Sequence, residues 1–188
     1  DADEAAPAPR PAILRPLSEM LIETILTKRY PDLQTLQMSC HATSKQGDRV
    51  VPCGRCEKCR RIVGMLTAIG ADPSRCGYTS EQVQRCLQRL VSDGLHQEAA
   101  GVEQLIYMLS QAKAIAWDAQ SKFQPKERPE VLCLRFDSEC SPLDAMPLNL
   151  REPLYRIYNE YSKGSLLRKN RRWTAVDPLS APALDAPY

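Results

Sequence analysis

The stretch that decides the fold is Cys53-Gly54-Arg55-Cys56-Glu57-Lys58-Cys59, which is preceded by a fourth cysteine, Cys40. Thiolates at C-x2-C spacing can turn onto one tetrahedral ion, and four of them fill the coordination shell of zinc. A filled shell leaves no position for a substrate. The sequence therefore predicts a structural zinc site with Cys40, Cys53, Cys56 and Cys59 as its ligands.

The residues around these cysteines fit a metal-binding turn that leads into a helix. Gly54 lies inside the turn, where a missing Cβ lets the backbone curl around an ion. Behind Cys59, apolar residues recur at helical spacing; they are Ile62, Val63, Leu66 and Ile69. Gly70 is the expected end of this helix.

Basic residues surround the cysteines. Four thiolates on one Zn²⁺ leave a net charge of about −2, which nearby cations can offset. The basic residues of this segment are Lys45, Arg49, Arg55, Lys58, Arg60 and Arg61. The metal site therefore explains this basic cluster without a nucleic acid.

Disulfides, unligated thiols and an iron–sulfur cluster are the alternative interpretations of the four cysteines. Disulfides need an oxidising compartment, and the sequence lacks the apolar core of a signal peptide. No apolar run approaches the length that crosses a bilayer. The sequence therefore favours zinc, no membrane association and a cytoplasmic location.

Length and charge are typical of one globular domain with loose ends. The chain has 188 residues and a formal net charge of +2, which neither requires nor excludes a polyanionic partner. We expect a disordered linker over residues 1–15, a helical zinc-binding domain over 16–118, an extended segment plus a C-terminal helix over 119–176, and a flexible tail over 177–188. Because the first residue is Asp rather than Met, we also expect that further chain once lay upstream.

Apolar periodicity predicts a mainly α fold, organised as a small helical domain around a four-cysteine zinc knuckle. A first helix is expected from Pro16 to just before Pro31. Thr79 and Gln82 form a capping box for a later helix that ends at Gly94.

Four other segments complete the predicted secondary structure. A helix is expected over residues 98–117 and a last one over 150–161. Residues 41–52 are interpreted as a polar loop, and residues 131–136 as a strand without a partner.

The order of a proline-started helix, a Ser39-Cys40 pair, a polar loop and the run from Cys53 to Arg60 resembles the C-terminal part of the QueC-like 7-cyano-7-deazaguanine synthases, which are PP-loop ATP pyrophosphatases. The resemblance covers residues 16–70. It implies that Cys40, Cys53, Cys56 and Cys59 hold a structural zinc. It also implies that the helical domain is the C-terminal part of a larger α/β protein with an adenine nucleotide α-hydrolase-like fold.

The resemblance implies an ATP-dependent ligase of queuosine biosynthesis. Such an enzyme adenylates a carboxylate, here 7-carboxy-7-deazaguanine or a related substrate, with ATP and Mg²⁺, and ammonia then displaces AMP. The family's ATP loop, of the SGGxDS type, does not occur in this sequence, whose eight glycines are not clustered. We therefore expect the chain alone to be inactive, with an upstream domain or a separate subunit supplying the ATP loop.

A zinc-knuckle module that binds nucleic acid without catalysis is the second hypothesis. Cations can meet phosphates while an indole stacks on a base; the residues concerned are Lys163, Arg168, Lys169, Arg171, Arg172 and Trp173. The near-neutral total charge favours a solvated basic tail instead. A third hypothesis is a docking subunit that contacts a partner protein through the apolar segment 148–161.

No residues of the sequence form a convincing nucleophile or acid–base arrangement. His96 and Glu98 are candidate substrate-proximal residues, although a cap or surface role is more typical of such a histidine. His41 is interpreted as a neighbour of the metal site or a solvent-exposed group rather than a ligand. The remaining cysteines lack ligand spacing; they are Cys76, Cys86, Cys133 and Cys140.

Overall fold

The computed structural model describes residues 12–116, 124–143 and 145–185. Helices predominate in them, as the sequence predicts, and the strands form two small sheets. Residues 1–11 of the predicted linker and residues 186–188 of the predicted tail lie outside the described residues. The chain contacts define two compact units: the helical unit, Ser18–Leu132, and the sheet unit, which combines the described residues of 1–17 and 133–188.

The helical unit begins with two helices and a short hairpin. Its elements are α1 (Glu19–Arg29), α2 (Pro31–Gln34), β1 (Ser44–Gln46), β2 (Arg49–Val51), α3 (Glu57–Ala68), a 3-10 helix at Pro73–Cys76, α4 (Ser80–Asp93), α5 (Ala99–Gln111) and a 3-10 helix at Pro129–Leu132. Strands β1 and β2 pair antiparallel, with Ser44 opposite Val51. A hairpin therefore occupies much of the segment 41–52, which was interpreted as a loop from its polar composition.

Helix α1 begins at Glu19 rather than at Pro16. The Ser18 hydroxyl accepts a hydrogen bond from the backbone N–H of Leu21 at 3.1 Å and donates one to the Val131 carbonyl at 2.7 Å. A serine hydroxyl satisfies an N–H group at a helix start, which a proline ring cannot do. Ser18 therefore sets the start of the helix.

The two later helices follow the predicted boundaries to different degrees. Thr79 and Gln82 form the predicted capping box of α4, and Gly94 is its C-cap. Helix α5 ends at Gln111, several residues before the predicted end. Lys113 has a φ of +54° and stops the helix without the glycine that usually marks such a position. Trp117 and the predicted domain boundary at 118/119 lie outside the described residues.

Helix α3 packs at the centre of the core of the helical unit. Val63 and Leu66 on α3 are fully buried, as are leucines on α4 and α5, which pack against α3. A Cβ on Gly64 would stand 2.7 Å from Cδ1 of Leu90 in α4. The missing side chain therefore allows α3, which carries Cys59 in its first turn, to approach α4 closely.

The sheet unit contains a three-stranded sheet that the sequence did not predict. Its elements are β3 (Leu134–Phe136), α6 (Leu148–Tyr161), β4 (Ser165–Lys169), β5 (Arg172–Ala175) and α7 (Ala181–Leu184). Strand β4 lies in the middle, parallel to β3 and antiparallel to β5. The expectation that residues 131–136 lack a partner strand is therefore wrong. The partner was missed because the turn of the β4–β5 hairpin contains no glycine.

The inner side of α6 is covered within the sheet unit. Arg151 is fully buried, and its Nε donates a hydrogen bond to the Met146 carbonyl at 2.7 Å. Tyr155 is 1% exposed and meets Phe136 edge to face, with 5.6 Å between ring centroids. Arg151 and Tyr155 thus use one side of the segment 148–161 for packing, whereas Leu148 is 53% exposed. The role of this segment as a docking surface stays a prediction.

Candidate metal centre

The turn from Cys53 to Cys56 leads directly into α3. Gly54 has a φ of +63°, a left-handed conformation that favours glycine. A Cβ at this position would also stand 2.4 Å from Cγ of Gln82. Cys56 is the N-cap residue of α3, and Cys59 lies in its first turn. Both the backbone conformation and the packing therefore require glycine between the first two thiols of this run.

The four cysteine sulfurs converge on one point. The Sγ atoms of Cys40, Cys53, Cys56 and Cys59 all lie within 4.8 Å of one another. The Sγ–Sγ distance is 3.8 Å for Cys40 and Cys56, 3.8 Å for Cys53 and Cys59, and 3.5 Å for Cys56 and Cys59. A zinc–sulfur bond of about 2.3 Å gives a regular tetrahedron with sulfur–sulfur edges of about 3.8 Å. The four residues, called the quartet below, could therefore hold a metal ion.

Hydrogen-bond donors point at these sulfurs. The backbone N–H of Cys53 donates to Sγ of Cys40 at 3.4 Å. Tyr78, which is 5% exposed, hydrogen-bonds the Cys59 thiol through its side chain. Donors of this kind orient metal-bound thiolates and partly neutralise their charge. These two donors therefore favour the ionised form of the sulfurs they contact.

Burial and hydrogen bonding act on the thiol pKa values in opposite directions. Burial raises the pKa of Cys40 and that of Cys59. Burial opposes ionisation of Cys53 as well, but hydrogen bonds from the backbone N–H groups of Arg55 and Cys56 lower its pKa to about 6. Four thiolates this close also repel one another. A divalent cation would supply the charge that stabilises all four together.

Two arginines beside the quartet form ion pairs with other helices. Nη1 of Arg60 lies 3.4 Å from Oδ2 of Asp93, and Nε of Arg61 lies 3.3 Å from Oε2 of Glu19. These pairs connect α3 to α4 and to α1. The sequence assigned both arginines only to charge compensation at the metal, so these connections are additional to that role.

Residues outside the cysteine run support the turn. Nε2 of Gln82 donates to the Pro52 carbonyl at 3.2 Å, and the Cys86 thiol donates to the Gly54 carbonyl at 3.4 Å. The sequence identified Gln82 only as part of a capping box. The sequence did not indicate the contacts of Tyr78 and Cys86, because neither residue differs in its sequence context from an ordinary core residue.

The structure places the predicted histidines at the surface. The His96 imidazole is 94% exposed, and its Nδ1 lies 3.5 Å from Oε2 of Glu57. The backbone N–H of His96 also donates to Oε1 of Glu57 at 2.8 Å. Glu98 is the N-cap residue of α5, and His41 is exposed. A substrate-proximal role for His96 and Glu98 stays a prediction.

The remaining cysteines are free thiols outside the quartet. Cys76, Cys86 and Cys133 are buried, and Cys140 is exposed. Within residues 12–116, 124–143 and 145–185, no second group of three or more His, Cys, Asp or Glu side chains converges in this way. The candidate nucleic-acid residues all belong to the sheet unit, and they lie on or beside its β4–β5 hairpin.

No family model, curated protein or solved structure matches this chain. Among the described residues, none of the helices combines the length and the hydrophobicity needed to span a bilayer. The functional interpretation therefore depends on the geometry of the quartet and on the sequence pattern around it.

Proposed function

We propose that the quartet binds one Zn²⁺ ion with a structural role. The all-thiolate donor set and the tetrahedral sulfur spacing support zinc over harder metals, which prefer oxygen ligands. Cys40 and Cys53 would hold the ion from the segments that flank the β1–β2 hairpin, and Cys56 and Cys59 from the start of α3. The bound ion would supply a cross-link between these segments.

We further propose that the chain is the C-terminal, zinc-containing region of a QueC-like PP-loop enzyme. The convergence of Cys40 with the CGxCxxC run is the observation that carries this proposal. The same cysteine pattern, with Ser39 before Cys40, is the basis of the resemblance to that family. The fold of the complete enzyme would then be α/β, with the helical unit at the end of its nucleotide-binding domain.

The proposed chemistry is divided between this chain and the part that carries the ATP loop. A substrate carboxylate oxygen attacks the α-phosphorus of ATP and pyrophosphate leaves. Ammonia then attacks the acyl adenylate and AMP leaves. The substrate is 7-carboxy-7-deazaguanine or a related carboxylate. The quartet takes no part in these steps, since four thiolates would fill the zinc coordination shell; its role is to maintain the helical unit that supports the catalytic domain.

Pyrophosphate release tests this division. We expect none from the purified chain with ATP, Mg²⁺ and 7-carboxy-7-deazaguanine, and substrate-dependent release once a polypeptide that carries an SGGxDS loop, encoded upstream or in a neighbouring reading frame, is combined with it. Cys56→Ser should abolish the release, whereas Cys140→Ser, at an exposed thiol, should not. ATP turnover by the chain alone would contradict the division. Failure of every such combination with this substrate and with related carboxylates would contradict the family assignment.

A further inference from the structure

The β4–β5 hairpin concentrates positive charge at its tip. Arg168 and Lys169 end β4, Arg171 lies in the turn and Arg172 begins β5, and all four are exposed. Residues 162–176 contain no Asp or Glu. No carboxylate of the described residues lies within ion-pair distance of these four cations, which are called the tip cations below.

Two features of this tip weaken the hairpin itself. Lys169 lies directly opposite Arg172 in the strand pairing, and like charges at such positions repel. Asn170 and Arg171 have φ values of +48° and +63°. A two-residue turn of this kind is usually Asn-Gly, because glycine takes the second position without strain. The sequence instead has a long cationic side chain where the backbone favours glycine.

An aromatic ring lies beside the tip cations. Trp173 pairs with Arg168 across the strands, and the guanidinium carbon lies 5.7 Å from the centroid of the indole. Trp173 is half-buried. The pair Arg168–Trp173 occupies one face of the hairpin, and the pair Lys169–Arg172 occupies the other, since successive strand residues alternate between faces.

The acidic group Asp137 interacts electrostatically with Arg168, but its strongest interactions are hydrogen bonds with backbone N–H groups. The backbone N–H of Cys140 is the main cause of the lowered pKa of Asp137, and the charge of Arg168 contributes less. The Asp137 carboxylate also accepts the N–H of Glu139 at 3.0 Å. The tip therefore keeps a net positive charge that an external anion can neutralise.

We propose that the β4–β5 hairpin binds single-stranded nucleic acid. A strand that passes over the end of the hairpin brings phosphates to the tip cations on both faces, and one of its bases stacks on Trp173. Phosphates relieve the repulsion between Lys169 and Arg172, which accounts for a cationic tip in a strained turn. Exposed cations next to an aromatic ring are the features by which proteins bind single strands without sequence preference. The proposal does not depend on the zinc site or on the ATP-dependent chemistry.

Fluorescence anisotropy with labelled oligo-U and oligo-dT of about 15 nucleotides tests this proposal. With four phosphates neutralised, the slope of log affinity against log salt should be about −3 between about 50 and about 200 mM KCl. The ratio of the affinities for the two oligonucleotides identifies RNA or DNA as the preferred strand. Absence of binding at the lowest salt would overturn the proposal.

A charge-matched pair of double variants locates the site. Lys169→Gln/Arg172→Gln should weaken binding about tenfold or more and reduce the slope by about 1. Arg85→Gln/Arg156→Gln removes the same charge from exposed positions on α4 and α6. It should leave the affinity and the salt slope unchanged. An equal loss in the two double variants would overturn the hairpin as the site. So would tighter binding of phosphatidylserine vesicles than of either oligonucleotide.

Substitution of the turn arginine separates binding from a structural role. Arg171→Gly should raise the melting temperature, since glycine accepts a φ of +63°, and should at the same time weaken oligonucleotide binding. Trp173→Leu should weaken binding about fivefold or more, while Trp173→Phe should retain most of it. An Arg171→Gly variant that is more stable and binds as tightly as the original chain would contradict the proposal.

Discussion

Cys56 combines a ligand position with a helix terminus. Its backbone forms the N-cap of α3, and its sulfur lies 3.5 Å from that of Cys59 in the first turn of the same helix. The positive end of the helix dipole favours negative charge at this place. A metal ion bound at Cys56 and Cys59 would therefore fix the start of α3.

Replacement of Cys56 should unfold the helical unit. A structural zinc contributes on the order of 10–16 kcal/mol, whereas a domain is stable by only about 5–15 kcal/mol. Cys56→Ser is expected to abolish zinc retention and most of the helical circular dichroism of this unit. Cys140→Ser is the matched control and should behave as the original chain. A Cys56→Ser variant that keeps both its zinc and its melting temperature would disprove the structural role.

Glu23 makes the stability of the helical unit depend on pH. Glu23 is 4% exposed, and Nε2 of Gln37 donates a hydrogen bond to its carboxyl group. Burial raises its pKa from 4.5 to about 7, although the bond from Gln37 opposes this, and the charge of Glu19 adds to the rise. The folded state therefore holds a proton between pH 4.5 and about 7 that the unfolded state has released.

The stabilisation from this proton is complete below pH 4.5 and is lost as the pH rises through about 7. It amounts to about 3 kcal/mol over the window. Glu23→Gln keeps the shape and removes the titration, so the variant should be more stable than the original chain at about pH 8. Urea unfolding at several pH values measures the difference in the free energy of unfolding between the two proteins. If that difference does not change with pH, the assignment of the titration to Glu23 is wrong.

At the scale of elements, the close approach of α3 and α4 depends on one glycine. Gly64→Ala would place a Cβ 2.7 Å from Cδ1 of Leu90 and 3.4 Å from Cδ2 of Leu105, both of which are buried. The clash should outweigh the gain in helix propensity and destabilise the chain by about 1–2 kcal/mol.

Gly101→Ala in α5 is the matched control for this substitution. Its Cβ would meet only Gln97, at an ordinary 3.7 Å, so up to about 1 kcal/mol of stabilisation is expected. Denaturant midpoints of the two variants provide the comparison. A Gly64→Ala variant as stable as Gly101→Ala would show that α3 and α4 do not need the glycine.

The elements that the sequence predicted are those whose ends carry local chemical signals. Thr79 and Gln82 fix the start of α4 through their own hydrogen bonds, so the sequence alone located it. The turn at Asn170 and Arg171 has no glycine, and the three-stranded sheet was missed with it. The start of α1 was misplaced because a proline and a serine compete for the same role two residues apart.

At the scale of the whole molecule, local spacing predicted the quartet because three of its cysteines lie within the short run of residues 53–59. The residues that support the turn come from elsewhere in the chain. Tyr78 and Cys86 reach it only after folding, so their contacts follow from tertiary structure. The ion pairs of Arg60 and Arg61 have the same origin.

The division into two units predicts a localised response to metal removal. A chelator with high affinity for zinc should increase amide hydrogen exchange most strongly in α3, whose N-cap residue and first turn carry two of the four candidate ligands. Amides of β3 and β4 belong to the other unit and should change less. A uniform increase in both units would show that the ion stabilises the chain as a whole.

Zinc K-edge X-ray absorption on the purified chain tests the central claim most directly. The account predicts one zinc per chain with four sulfur neighbours at about 2.3 Å. The same measurement on Cys140→Ser should give an identical spectrum. Absence of zinc, or a first shell that contains nitrogen or oxygen in place of a thiolate, would contradict it.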